Sequence, residues 1–337
     1  MDCFFCTVHA AWPWLRQTED GSGRMGDVRF VLEDKDGSTP WLVVFDEPPA
    51  GAATHVPRER RVLFVTEPPE IKRYPRSYLG QFGTVISPYA FRGVESRALL
   101  LENPCLNWHY GVATGHGAPV SPALRRLGDI QNLPVPPKSK KCSVICSTKT
   151  ATEAQRRRIR FVRRLKDILG DDLDVFGRGF RPVSDKAEAI APYAYHLVLE
   201  NNYIDNFWTE KLADAWIGWA LPLYLGAPNL AAACGLPDGF VALDPDDEEG
   251  NLARIAQCLG RPLWEERREA LARCRAWCLQ GTNVFARTAA LIRNAPPGIQ
   301  RLPMSTRPES LYGTDRQAVA ALYGRPGLEA LPQPERL

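Results

Sequence analysis

The 337-residue chain has little net charge. Its 42 basic and 39 acidic residues leave +3, so no global field drives it onto nucleic acid or an anionic membrane. It also lacks an unbroken apolar run long enough to span a bilayer. The longest candidate, residues 212 to 234, is interrupted by Asp214, Gly218, Pro222, Gly226 and Pro228, a pattern of helix, turn and strand. No internal repeat is visible, and neither a P-loop nor a GxGxxG motif follows a strand. FGRGF at 176 to 180 suits only a tight turn after a strand. The opening MDCFFCTVHAAWPWLRQ carries an acid at position 2 and no basic segment before its short apolar run, so no secretory signal is expected there. The nine cysteines are an odd number without disulfide-framework spacing, which fits free thiols in a reducing compartment. Cys3 and Cys6 form a CxxC near His9, but no second ligand pair follows at zinc spacing, and buried strand thiols are the expectation.

What is present is ordinary globular material, 45% hydrophobic and 24% charged, at a length beyond the usual reach of one core. Two domains are therefore expected, with a cleft between them. The first third holds four β-branched runs that read as strands: VRFVL (28–32), WLVVF (41–45), VLFVTE (62–67) and TVIS (84–87). Between 113 and 141 the chain is rich in Gly, Pro and Lys, and its NLPVPPKSKK portion (132–141) reads as an extended linker that places the boundary near Pro137. The expected division is thus 1–136, 137–300, and a surface tail at 301–337. Beyond the boundary, CSVIC, a helix over 152–169, DVFG (174–177), a short helix at 185–190 and YHLVLE (195–200) alternate. A helix from Thr209, LPLYL, FVALD (240–244) and amphipathic helices from Glu248 continue the pattern. Such alternation predicts a parallel sheet with ligands outside the carboxyl ends of its strands.

The stretch from Tyr195 to Asn229 carries the chemistry. His196, Leu197, Val198 and Leu199 deliver Glu200 and Asn201 to the sheet edge, and a loop leads to Thr209, a good N-cap. Glu210 and Lys211 fall in the first helical turn, where free N–H groups and an ammonium suit a phosphate or diphosphate. The plainer alternative is that Glu210 complements the helix dipole and Lys211 is solvated. In RRRIRFVRRLK (156–166) the alternatives are a solvated helix face and anion binding. His196 reads as a core histidine. Trp108, His109 and His116, in LNWHYG and TGHG, are candidates for holding sugar rings, with packing as the other reading for the aromatics. Glu67, at the end of an apolar strand, is a candidate general base or simply a solvated glutamate, and Glu102 is its nearest rival.

ENNYIDNFWTEKLADAW followed by LPLYLGAPN resembles the donor-site signature of the bacterial-type α-1,3/4-fucosyltransferases, glycosyltransferase family 10. The similarity extends upstream through Asp185-Lys186, DVFGRGF and RRRIRFVRRL. In the first domain it rests on RRVLFVTEPPEI. The resemblance implies an α/β GT-B fold, two Rossmann-like domains facing across a cleft, the first binding acceptor and the second GDP-sugar. It implies inverting transfer of L-fucose from GDP-fucose to a hydroxyl of a GlcNAc-containing glycan in α-1,3-type linkage. Glu67 matches the general base, Arg158 a diphosphate contact, and Asn201, Glu210 and Lys211 other donor contacts. Phe207 stands where the family more often has tyrosine, which leaves another GDP-linked sugar open as donor, beside a non-catalytic sugar-nucleotide or glycan-binding protein. With Arg158 and Lys211 at the diphosphate, no metal or other obligatory cofactor is expected. The expected partners are GDP-fucose and a glycan acceptor, not nucleic acid. The expected setting is cytoplasmic, with peripheral contact at the inner membrane.

Overall fold

The computed structural model describes residues 1–295 except 36, 92–98, 116–117 and 151–152, and the side chains at 114–123 and 154 are likewise outside the description. His116 and the tail at 301–337 therefore lie outside the described residues. The chain divides into two compact units. Among the described residues, one comprises Met1–Ala10, Met25–Pro104 and the chain from Thr288 to Ala295; the other comprises Ala11–Arg24 and Cys105–Arg287. The segment from Cys105 to the expected boundary at Pro137 thus groups with the second unit.

The first unit is built on β1 (Asp2–Cys6), β2 (Arg24–Met25), β3 (Val28–Val31), β4 (Trp41–Phe45), β5 (Arg61–Phe64), β6 (Thr84–Ser87) and β7 (Leu99–Leu101). They form one sheet in the order β2-β3-β1-β4-β5-β6-β7, with β3 through β7 paired in parallel. Every residue of β4 and β5 is buried, as expected of central parallel strands covered on both faces. Helix α1 (Arg76–Leu79) contributes Tyr78 and Leu79 to a core that also holds Val44, Leu63, Tyr74, Phe82 and Val85. The four runs read as strands correspond to β3, β4, β5 and β6. Strand β1, DCFFC, pairs between β3 and β4 and buries Cys3 and Cys6.

The second unit opens with a hairpin of β8 (Val112–Gly115) and β9 (Ala118–Leu124) and with α2 (Leu127–Gln131). The alternating run then follows: β10 (Lys140–Ile145), α3 (Glu153–Leu169), β11 (Leu173–Phe176), α4 (Lys186–Ile190), β12 (Tyr193–Leu199), α5 (Glu210–Ile217), β13 (Leu221–Leu225), α6 (Leu230–Cys234) and β14 (Val241–Ala242). Helices α7 (Glu248–Leu259), α8 (Leu263–Glu266), α9 (Arg268–Gln280) and α10 (Val284–Arg293) complete the described chain. The five strands are parallel in the order β11-β10-β12-β13-β14. This is a doubly wound arrangement whose direction of winding reverses between β10 and β12. In such sheets the crevice outside the carboxyl ends at that reversal is the natural ligand position.

Two local features shape that edge. Gly177, after β11, has φ +116°, and a Cβ there would lie 2.2 Å from the Cys146 carbonyl oxygen, so only glycine lets the FGRGF turn run beside the loop after β10. His196, buried on β12, has Nδ1 2.8 Å from Ser143 Oγ on β10, and Ser143 donates to the Ala189 carbonyl. Burial draws His196 down to about 3, the core histidine read from the sequence.

Candidate functional site at the strand-order reversal

Strand β12 ends in Leu199, and the next residue, Glu200, keeps its backbone N–H in the ladder by donating to Leu225 O at 2.9 Å. Its side chain is fully buried. That burial is tolerated because Glu200 accepts from the Thr209 backbone N–H at 2.8 Å, from the Thr209 hydroxyl, and from Lys211 Nζ at 3.3 Å. Thr209 is also the N-cap of α5, its Oγ1 accepting from the Lys211 N–H. The loop from 201 to 208 is thus closed by one carboxylate joining the end of β12 to the start of α5.

From Glu200 the charges alternate in sign. Lys211 lies 3.3 Å from Glu200 and 3.7 Å from Glu210; Lys186, at the start of α4, lies 3.3 Å from Glu210 and 2.8 Å from Asp214. Asp214, also fully buried, accepts from the backbone N–H groups of His109 and Tyr110 at 2.9 Å each. Three carboxylates against two ammonium groups leave this ladder one negative charge. Burial alone would raise Glu210, but Lys211 and then Lys186 outweigh it and hold the carboxyl well below its ordinary range. Burial acts to lower Lys186, and Asp214 and Glu210 outweigh it; Lys211 is raised in the same way by Glu200 and Glu210. All three therefore stay ionised at neutral pH.

Arg158 reaches the site from α3, its Nη1 donating to Asn201 Oδ1. Its Nε is buried without a hydrogen-bond partner among the described residues. The neighbouring arginines behave differently: Arg156 and Arg160 pair with Glu153, and Arg164 pairs with Glu248 and Glu249, all on exposed surface. The solvated face is realised by these three, whereas Arg158 lines a cavity.

Arg158, Lys186, Glu210, Lys211 and Asp214 line one cavity of about 190 Å³, with Ile145 and Ser147 from the end of β10 and Leu197 to Leu199 from β12. It therefore opens at the reversal point. A narrower crevice shares Arg158 and Leu199 and continues between Phe161, Tyr203, Leu225 and Pro245 to Glu248 and Asn251. Three cations and a helix N-terminus beside apolar walls suit an anionic group joined to a flat, partly apolar one. Among the described residues no group of three or more His, Cys, Asp or Glu side chains converges as metal ligands, and no helix is long and apolar enough to cross a membrane.

The structure thus brings Arg158, Glu210 and Lys211 into one cavity and Asn201 onto Arg158. Phe207 is buried and does not line the cavity. Trp108 is fully buried, so its ring offers no face to a ligand, and packing is its role. His109, half-buried, has its ring 4.6 Å from that of Trp12 and is lowered to about 4 by burial and by Lys186. Both residues belong to the second unit, not to the first where they are expected. Glu67 lies in the first unit, just beyond β5, half-buried. Sequence reading passed over Lys186 and Asp214 as site residues. A signal exists: Asp214 is a carboxylate inside the apolar stretch LADAW, four residues after Glu210 and so on the same helical face.

Residues 135–261 match the sequence model described as glycosyltransferase family 10 (fucosyltransferase) C-term. Among solved structures, the chain is similar to an alpha1,3-fucosyltransferase with GDP-fucose, at 14% identity, covering 80% of this chain and 81% of that one with a TM-score of 0.45. A second alpha1,3-fucosyltransferase structure matches at 14% identity over 87% and 89% of the two chains, TM-score 0.45. The pneumococcal O-GlcNAc transferase GtfA in complex with UDP and GlcNAc matches at 8% identity over 75% and 51%, TM-score 0.39. The assignment rests on the sequence match, whose span holds all five strands of the second sheet and the whole charge ladder. Over residues 135–261 the chain is similar to the C-terminal domain of glycosyltransferase family 10 (fucosyltransferase).

Proposed function

We propose that this chain transfers L-fucose from GDP-fucose to a hydroxyl of a GlcNAc-containing glycan, with inversion and in α-1,3-type linkage. The observation that carries the reading is the convergence of Arg158, Lys211 and the capped start of α5 on one cavity at the sheet reversal, inside a fucosyltransferase-family domain. The diphosphate lies against Lys211, the first-turn N–H groups of α5 and the Arg158 fork, which take up the charge that grows on the β-phosphate as the glycosidic bond breaks. GDP leaves without needing a protein acid. Asn201 holds Arg158 in register for this contact. Glu210, kept ionised by Lys211 and Lys186, faces the electron-poor sugar carbon that an oxocarbenium-like transition state creates. Glu67 accepts the proton of the attacking acceptor hydroxyl. The two parallel-sheet units act as the two halves of a GT-B enzyme, the first carrying acceptor and base. The enzyme works in the cytoplasm on surface-glycan precursors, with peripheral contact at the inner membrane.

A panel of GDP-fucose, GDP-mannose and UDP-sugars, each offered with a glycan array, tests this by nucleotide release and product mass. The reading expects release and transfer with GDP-fucose, insensitive to EDTA; turnover only with another donor would replace fucose in it. One observation favours that second reading. Phe207 supplies no hydroxyl where the family more often has tyrosine, and another GDP-linked sugar is the alternative donor it points to.

A further inference from the structure

The carboxyl edge of the first sheet holds a hydrogen-bonded chain that the transfer chemistry above does not use. The Glu67 backbone N–H donates to Tyr74 Oη at 3.4 Å, and Tyr74 Oη in turn donates to Asp46 Oδ1. Lys72 Nζ binds the other oxygen, Asp46 Oδ2, at 2.9 Å and Glu47 Oε1 at 3.2 Å. From the other side, Tyr89 Oη donates to the Glu67 carbonyl at 2.9 Å. Both backbone polar groups of Glu67 are therefore held by tyrosine hydroxyls.

Asp46 itself is in an uncommon conformation. It follows β4 with φ +70°, a left-handed setting that favours glycine and that Asp and Asn adopt only under strain. Its carboxylate is 7% exposed, and Tyr78 Oη donates to its carbonyl at 2.9 Å. A buried, strained carboxylate paired with one lysine and one tyrosine is an expensive way to end a strand. Packing alone would be met by an apolar pair. Such strain is retained where geometry matters, and here it ends on the backbone of one residue, Glu67.

We infer that Tyr74, locked by Asp46 and Lys72, is a positioning residue that fixes the backbone of Glu67 so that its carboxylate meets the acceptor hydroxyl. This inference rests on the reading of Glu67 as general base. Tyr74 touches no substrate; it acts by removing freedom from the strand end that carries the base. A hydroxyl-free residue at this position fills the same core space and leaves the Glu67 N–H without its partner. Displacement of a catalytic group by about 1 Å costs on the order of a hundredfold in rate.

The test compares Tyr74→Phe, Asp46→Asn and Glu67→Gln with the unaltered enzyme, each normalised to the number of sites that bind GDP by calorimetry. GDP is taken up by the other unit, so its binding counts folded enzyme independently of the clamp. Tyr74→Phe is expected to lose about tenfold to a hundredfold in kcat per GDP site, with KM for GDP-fucose within twofold. Asp46→Asn tolerates the left-handed φ and still accepts from Tyr74, and it is expected to lose less than Tyr74→Phe while losing the Lys72 pair. Full kcat per site in Tyr74→Phe, with Glu67→Gln inactive, overturns the clamp alone. Undiminished transfer by Glu67→Gln overturns the base assignment and the clamp with it. Should Tyr74→Phe fail to bind GDP, Asp46→Gly decides, since glycine accommodates φ +70° and removes the acceptor of Tyr74 Oη, and a kcat equal to that of the unaltered enzyme counts against the clamp.

Discussion

Lys211 Nζ lies 3.3 Å from Glu200 Oε2, and the same carboxylate accepts from both the backbone N–H and the hydroxyl of Thr209. The cation best placed for a diphosphate is thus already anchored by an acid that also closes the preceding loop. The proposed diphosphate contact and the structural fastener share one hydrogen-bonded unit, so substitutions here separate by which partner they leave unpaired.

Glu200→Gln keeps an acceptor for Thr209 but removes the buried charge opposite Lys211. It should lower unfolding free energy by about 1–3 kcal/mol, less than the full loss of a buried pair because Glu210 stays near the ammonium. Urea denaturation with and without GDP measures this, and GDP should restore part of the loss by supplying a new anion.

Lys211→Met removes one of two positive charges from the ladder and leaves Glu200 facing only Thr209. GDP affinity should fall by at least tenfold in calorimetry. Arg158→Lys should fall as well, because a point charge cannot replace the fork that reaches Asn201 and the cavity together. Equal affinity in both variants would place the diphosphate elsewhere.

Asp214→Asn should be the more damaging change to folding. The carboxylate, itself fully buried, holds two backbone N–H groups from the 109–110 segment and Lys186 at 2.8 Å. Leaving Lys186 with Glu210 alone should cost about 3 kcal/mol, read as a lower denaturation midpoint.

Stability should fall on acidification below neutrality. His109 is drawn down to about 4 and His196 to about 3 from 6.5, so the unfolded chain takes up protons that the folded one refuses. The stabilisation is complete above pH 6.5 and is lost as pH falls toward those folded values. Between pH 7 and pH 5 each histidine should cost about 2 kcal/mol. Glu210, whose folded value is depressed, adds a further loss below its ordinary 4.5. His196→Asn, whose amide N–H can still donate to Ser143 Oγ, should flatten its share of this dependence.

Much of the second unit was legible because its signals are local. Apolar runs bounded by Gly and Pro gave β10, β12 and β13, Thr209 gave the start of α5, and Glu210 and Lys211 followed from their place in its first turn. The pairing partners of those residues were not legible, since Asp214 meets the 109–110 backbone across more than a hundred residues and Lys186 arrives from another helix. Position along the chain misled for Trp108 and His109, which precede the linker-like stretch yet pack with the second unit. Strand β1 is legible only through the expectation of buried strand thiols at Cys3 and Cys6, because the apolar run CFFC carries no alternation; it is covered by strands on both sides. The positive φ of Asp46 has no sequence signature at all.

The most direct test of the central claim is a glycan-array transfer assay with GDP-fucose, run on the unaltered protein and on Glu67→Gln at matched GDP-binding capacity. The account predicts fucose on GlcNAc-containing glycans with the former and near-complete loss with the latter. No transfer from GDP-fucose to any glycan by protein that binds GDP, or equal transfer by both, would contradict it.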